Sequence, residues 1–113
     1  MTPADVLRQA RDFLGNRQML SAEETEGALD VAAVVLARTL ERLDAAITAG
    51  DGTACVEAAH GLKGNLLNLG LPELAATAQA ILDKAREGGY QSLQTGRESL
   101  ATALAPLLAR GAK

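Results

Sequence analysis

Apolar residues return every three or four positions through most of the chain. Leu29, Ala32, Leu36, Leu40, Leu43 and Ile47 make one such series, and Cys55, Ala59, Leu62, Leu66 and Leu69 make the next. Leu74, Ala78, Ile81 and Ala85 form a third, and Leu93, Leu100, Leu104 and Leu107 a fourth. That spacing keeps side chains on one face of a 3.6-residue helix, whereas a strand needs strict alternation. Alanine and leucine dominate, aromatics are 2% of the chain and β-branched residues are few, so helices are expected throughout and essentially no sheet.

The breaks between the series are equally legible. AGDG at 49–52, Gly70 with Pro72 just beyond, and Gly88–Gly89 divide the pattern into helices of about 29–49, 53–69, 72–87 and 90–109. Pro106 is expected to kink the last of them or end it early. Upstream, Thr2 can cap a short helix with Pro3 in its first turn, closing near Gly15–Asn16. Ser21 and Glu24 have the spacing of a capping box for a start at about residue 22, with Gly27 leaving its continuation open. The acidic group Glu23, Glu24, Glu26 and Asp30 reads as a solvated helix start. The expectation is an all-α fold: an antiparallel up-and-down four-helix bundle over about 29–109, with an additional short N-terminal helical segment over about 3–28. The 113 residues make one domain.

Several function classes are disfavoured by composition. A net charge of −3 supplies no basic surface in bulk for nucleic acid. One cysteine and one histidine without a CxxC pair leave little for a zinc site and exclude an internal disulfide framework. The first residues lack the pattern of a secretory signal, and no apolar run is long enough for a membrane helix, so a soluble cytoplasmic protein without a membrane partner is expected. The sequence shows neither a Gly-rich nucleotide loop nor paired metal-binding carboxylates of the kind such chemistry requires, so the chain is not expected to be an ATP-dependent kinase by itself.

The segment AHGLKG at 59–64 departs from this economy. With Cys55, Ala59, Leu62, Leu66 and Leu69 turned inward, His60 lies about 120 degrees from the centre of the core stripe and faces solvent. Gly64 and Leu67 project on the same side, Lys63 stands one turn away at the shoulder, and Val56 marks the other margin. Glycines inside a helix cost roughly 1 kcal/mol each, so Gly61 and Gly64 are tolerated for some other reason. For Gly64 the physical reading is access: without a side chain beside His60, a second protein's backbone and a phosphoryl group can come close. A close helix crossing is the competing reading for Gly64, and for Gly61 a close helix contact is the only one. A neutral imidazole nitrogen can attack phosphorus without an activating base, and Lys63 would place positive charge near the phosphoryl oxygens.

His60, Leu62, Lys63, Gly64 and Gly70, preceded by Ala59 and by the AGD turn at 49–51, resemble the hallmark of the histidine-containing phosphotransfer (HPt) domain family. The resemblance spans roughly residues 30–108 in helix pattern, with its specific residues concentrated in 49–75. It implies that His60 is the phosphoacceptor, that Lys63 supports the phosphoryl group, and that Gly64 admits a response-regulator receiver domain; Val56 and Leu67 are candidate partner-binding residues on the separate ground that they leave apolar surface beside His60. It implies no cofactor of the chain's own, with Mg2+ carried by the partner receiver, and a phosphorelay role between receivers or with a histidine kinase. Asn65 stands where this family usually has Ser or Ala, and Gly61 and Leu67 also depart from the usual pattern.

Other readings remain beside this one. The chain could be the phosphoacceptor domain of a chemotaxis-type or hybrid histidine kinase, or a non-catalytic adaptor that binds a receiver through the His60 and Leu67 surface. His60 could be a surface histidine paired with Glu57, Leu67 could pack under the N-terminal segment, and Cys55 reads as core packing. A dimerising histidine domain is disfavoured by Gly61 directly after His60 and by the absence of a proline before Pro72. A four-helix bundle can close its own core, so a monomer is expected.

Overall fold

The computed structural model describes residues 2–112. A short helix α1 (Pro3–Asp12) leads through a π-helical turn (Phe13–Arg17) into four longer helices: α2 (Ala22–Ala49), α3 (Gly52–Asn68), α4 (Pro72–Arg86) and α5 (Tyr90–Leu108). A tight 3-10 turn, Ala109–Ala112, follows. Among the described residues there is no strand, and no helix is long and apolar enough to cross a membrane.

Three turns reverse the chain by the same device. At the ends of α2, α3 and α4 a glycine (Gly50, Gly70, Gly88) takes a positive φ of 65°, 71° and 82°. The next N–H reaches back five residues, from Asp51 to the Ala46 carbonyl, Leu71 to Leu66 and Gly89 to Lys84, each at 3.0 Å. This Schellman closure satisfies carbonyls that a helix end would leave orphaned, and it turns the following helix back on its predecessor. Asp51 then caps α3 by accepting the Ala54 N–H at 3.0 Å.

Helices α2 and α4 each pack against both α3 and α5, which closes a four-helix ring around one core. Cys55, Ala59, Leu62, Leu66 and Leu69 are buried as their spacing requires, as are Leu93, Leu100, Leu104 and Leu107. On α2, Ala33 and Ala46 are covered while Ala32 and Ile47 are only half-buried, because this helix is flanked on both sides by neighbours. On α4, Ala75 and Leu82 join Ala78, Ile81 and Ala85 in the core, and Leu74 sits at its edge.

The helix expected from about Leu29 starts at Ala22. Ser21 Oγ accepts the Glu24 N–H at 3.1 Å and the Ser21 N–H donates to Glu24 Oε1 at 2.9 Å, so the capping box fixes the start. Gly27 does not interrupt it, since a 28-residue helix anchored by buried Thr25, Leu29 and Ala33 absorbs one glycine. Residues 22–28 thus belong to the first bundle helix. Helix α5 likewise runs through Pro106 to Leu108. The acidic start of α2 is only partly solvated: Glu26 pairs with Arg11 Nε at 2.9 Å and Arg110 Nη1 at 3.1 Å, and Asp30 pairs with Arg110 Nε at 2.8 Å.

Helix α1 lies against α5 and α2, and it and the π-helical turn after it bury Val6, Ala10 and Leu14 in the common core. Phe13 reaches the end of α3, where a Cβ on Gly70 would fall 2.2 Å from the ring. Gln9 Nε2 donates to the Gly70 carbonyl at 2.9 Å. The opposite end of α3 is closed in the same manner by Tyr90, whose hydroxyl would meet a Cβ on Gly52 at 2.4 Å. Phe13 and Tyr90 are the chain's two aromatic residues, and each seats on a glycine at one end of α3.

Candidate functional site

Helix α3 owes its exposed face to its inner one. With Cys55, Ala59, Leu62 and Leu66 almost wholly buried, the 100-degree step leaves His60, Gly64 and Leu67 exposed along one outer stripe. His60 forms no ion pair with Glu57, and no side-chain hydrogen bond among the described residues holds its imidazole. The residue is exposed to solvent.

Gly64 stands in open space. A Cβ built there would have nothing within 4 Å, so no helix of this molecule crosses close to it. Gly61 faces α2, where an added Cβ would meet Thr39 Cγ2 at 3.6 Å. That is ordinary van der Waals contact, which an alanine could make equally well, so the expected close helix contact does not demand glycine. The structure gives no packing reason for Gly61.

Lys63 stands half-buried on the shoulder of α3 that faces α4. Its Nζ donates to Gln79 Oε1 at 2.8 Å, and Gln79 Nε2 in turn donates to Asp83 Oδ1 at 2.9 Å. The lysine is therefore held one helical turn from His60 without a direct ion pair. Gln79 and Asp83 were not singled out by the sequence. Their i, i+4 spacing, off the stripe of Ala78, Ile81 and Ala85, places them on one flank of α4, but nothing local says that this flank meets Lys63.

Leu67 keeps 47% of its surface exposed, so the N-terminal segment does not cover it. Val56 differs: it is half-buried against the core and lines a shallow hollow with Gly52, Arg86 and Tyr90. The structure thus brings His60, Gly64 and Leu67 onto one open face with Lys63 at its edge, and sets Val56 lower, toward the Tyr90 end. Asn65 turns to the other flank, where it lines a groove of about 570 Å³ between α2 and α3 with Thr39, Ala58 and Gly61.

Cys55 is fully buried on the core stripe. Burial pushes its thiol above the ordinary cysteine value, with the nearby Asp51 charge adding to the effect, so it is a packing residue and a poor nucleophile. Among the described residues no group of three or more His, Cys, Asp or Glu side chains gathers as a metal site.

The site therefore consists of one exposed imidazole, a tethered ammonium one turn away, and open space where a side chain would otherwise stand. No curated protein and no solved structure matches the chain. The family profile described as the Hpt domain matches residues 27–110, which takes in all but the first five residues of α2, the whole of α3 to α5, and every residue of this site. The chain belongs to the Hpt domain family.

Proposed function

We propose that this protein is a phosphoryl carrier of a two-component phosphorelay, with His60 as the residue that takes and gives the phosphoryl group. The observation that carries this reading is the exposed His60 imidazole beside an empty Gly64 position, on a helix of an Hpt domain. An unprotonated ring nitrogen attacks the phosphorus of an aspartyl phosphate on a receiver domain. The new P–N bond forms as the P–O bond to the aspartyl carboxylate breaks, and the carboxylate leaves with the electron pair. Transfer to a second receiver is the same reaction in reverse, and the receiver supplies Mg2+ at its own site. Lys63 contributes positive charge near the transferring oxygens, acting as a point charge more than as a shaped fork. Leu67 offers an apolar contact beside the reacting face, and Val56 a lesser one at its margin.

Labelled phosphate offered from a panel of phosphorylated receiver domains tests this. The carrier reading expects acid-labile label on the intact protein and none on His60→Gln, with fold and receiver binding retained. A receiver that binds both forms equally and labels neither would overturn transfer in favour of an adaptor.

A further inference from the structure

Gln79 joins two groups that cannot satisfy each other through it in any order but one. The Lys63 ammonium has only donors and the Asp83 carboxylate only acceptors, so an amide between them must turn its carbonyl to the lysine and its NH2 to the aspartate. The distances of 2.8 and 2.9 Å fit that arrangement, and the flipped amide would set NH2 against ammonium and carbonyl against carboxylate. Asp83 thus decides which end of Gln79 faces α3. We infer that Gln79, oriented by Asp83, is a positioning residue that tethers the Lys63 ammonium on the α4 shoulder beside His60.

The inference rests on the phosphoryl-transfer reading for its purpose, though not for its geometry. A free lysine spreads its charge over many rotamers of a four-carbon stem, and a tether to α4 restricts that spread before any phosphoryl group arrives. The chemistry of the tether matters as much as its presence. A carboxylate at position 79 would pair directly with Lys63 and compete with the phosphoryl oxygens for its charge, whereas a neutral carbonyl is the weaker acceptor and yields to a phosphoryl dianion. The tether places Lys63 and leaves its charge available.

Two measurements on the full chain test this. Side-chain 13C relaxation at Lys63 Cε should show it more ordered than exposed Lys84 in the unsubstituted protein, and as mobile as Lys84 in Gln79→Leu. Single-turnover transfer should slow on the order of fivefold in both Gln79→Leu and Gln79→Glu, the first by loosening the lysine and the second by competing for it. In a Lys63→Ala background neither substitution should slow transfer further, which a merely structural role for Gln79 would not predict. Equal losses in both backgrounds, or a Lys63 as mobile as Lys84 from the outset, would overturn the inference. If the unsubstituted protein accepts no phosphoryl group at all, the relay reading fails and the relaxation comparison alone decides the tether.

Discussion

Gly61 and Gly64 sit within one turn of α3, yet their surroundings separate them. Neither is required by the fold: one would place a methyl in ordinary contact with Thr39, the other in open space. Alanine at either position should therefore stabilise the protein by about 0.5–1 kcal/mol, because it restricts the unfolded chain and favours the helix without a clash. Denaturant midpoints of Gly61→Ala and Gly64→Ala check this. Function should divide them, since a methyl at 64 projects on the exposed face that carries His60, the face on which the proposed transfer depends, whereas one at 61 points toward α2. Gly64→Ala is expected to be more stable and to slow transfer by roughly tenfold, which is the penalty of holding reacting groups slightly apart. Gly61→Ala should transfer normally. A Gly64→Ala protein that transfers at the unsubstituted rate would remove the steric argument for this glycine.

At the scale of the element, α3 is held by its own buried stripe and also by what seats on its ends. Gly52 and Gly70 accept Tyr90 and Phe13, and Gly70 also needs its positive φ. Gly88 provides the comparison, because it has a similar φ of 82° but open space around it. Gly88→Ala should cost about 1 kcal/mol from backbone strain alone. Gly70→Ala should cost about 3 kcal/mol, since its Cβ also displaces the Phe13 ring from the end of the core. Equal losses on chemical denaturation would mean that Phe13 gives way freely and does not clamp the helix. This contrast also marks what was legible in the sequence. Period and punctuation revealed four helices, the buried stripes of α3 and α5, and the outward stripe of His60, Gly64 and Leu67, because each depends on neighbours a few positions away. The contact of Lys63 with Gln79 spans 16 residues, and that of Gln9 with Gly70 spans 61. Such contacts follow from how helices meet, which no local period encodes. Gly27, which left the start of α2 open, has the same explanation: it weakens the helix locally, and the burial of Thr25, Leu29 and Ala33 around it outweighs the weakness.

The whole molecule is larger than the segment that carries the family pattern. The Hpt match begins at residue 27, yet Val6, Ala10 and Leu14 are buried in the same core as the four bundle helices. Each large apolar side chain covered in this way contributes about 1.5–3 kcal/mol, so deleting residues 1–20 should lower stability by several kcal/mol, read as a fall in thermal midpoint. The attachment of this cover has an electrostatic part as well. Glu26 on α2 takes Arg11 from α1 on one side and Arg110 from the C-terminal turn on the other, so one carboxylate joins three segments. Its hydrogen bonds from Arg11, followed by the charges of Arg11 and Arg110, hold its pKa below the ordinary glutamate value. Asp5 and Glu24 are lowered by their capping partners, Thr2 and Ser21. A carboxylate with a depressed folded-state pKa stabilises the fold above its unfolded pKa, and that contribution disappears as pH falls through the folded value. All three shifts have the same sign, so stability should be level near neutrality and decline below about pH 4. The loss should also be local at first, because these carboxylates lie on α1 and at the start of α2. Amide hydrogen exchange followed from pH 6 to pH 3, corrected for the intrinsic pH dependence of exchange, should show α1 losing protection before α3 and α4 do. Substituting Glu26→Gln should bring α1 part of the way to that state at neutral pH. Uniform loss along the chain would mean that the N-terminal cover and the bundle unfold as one cooperative unit, with the Glu26 pairs contributing no separate latch.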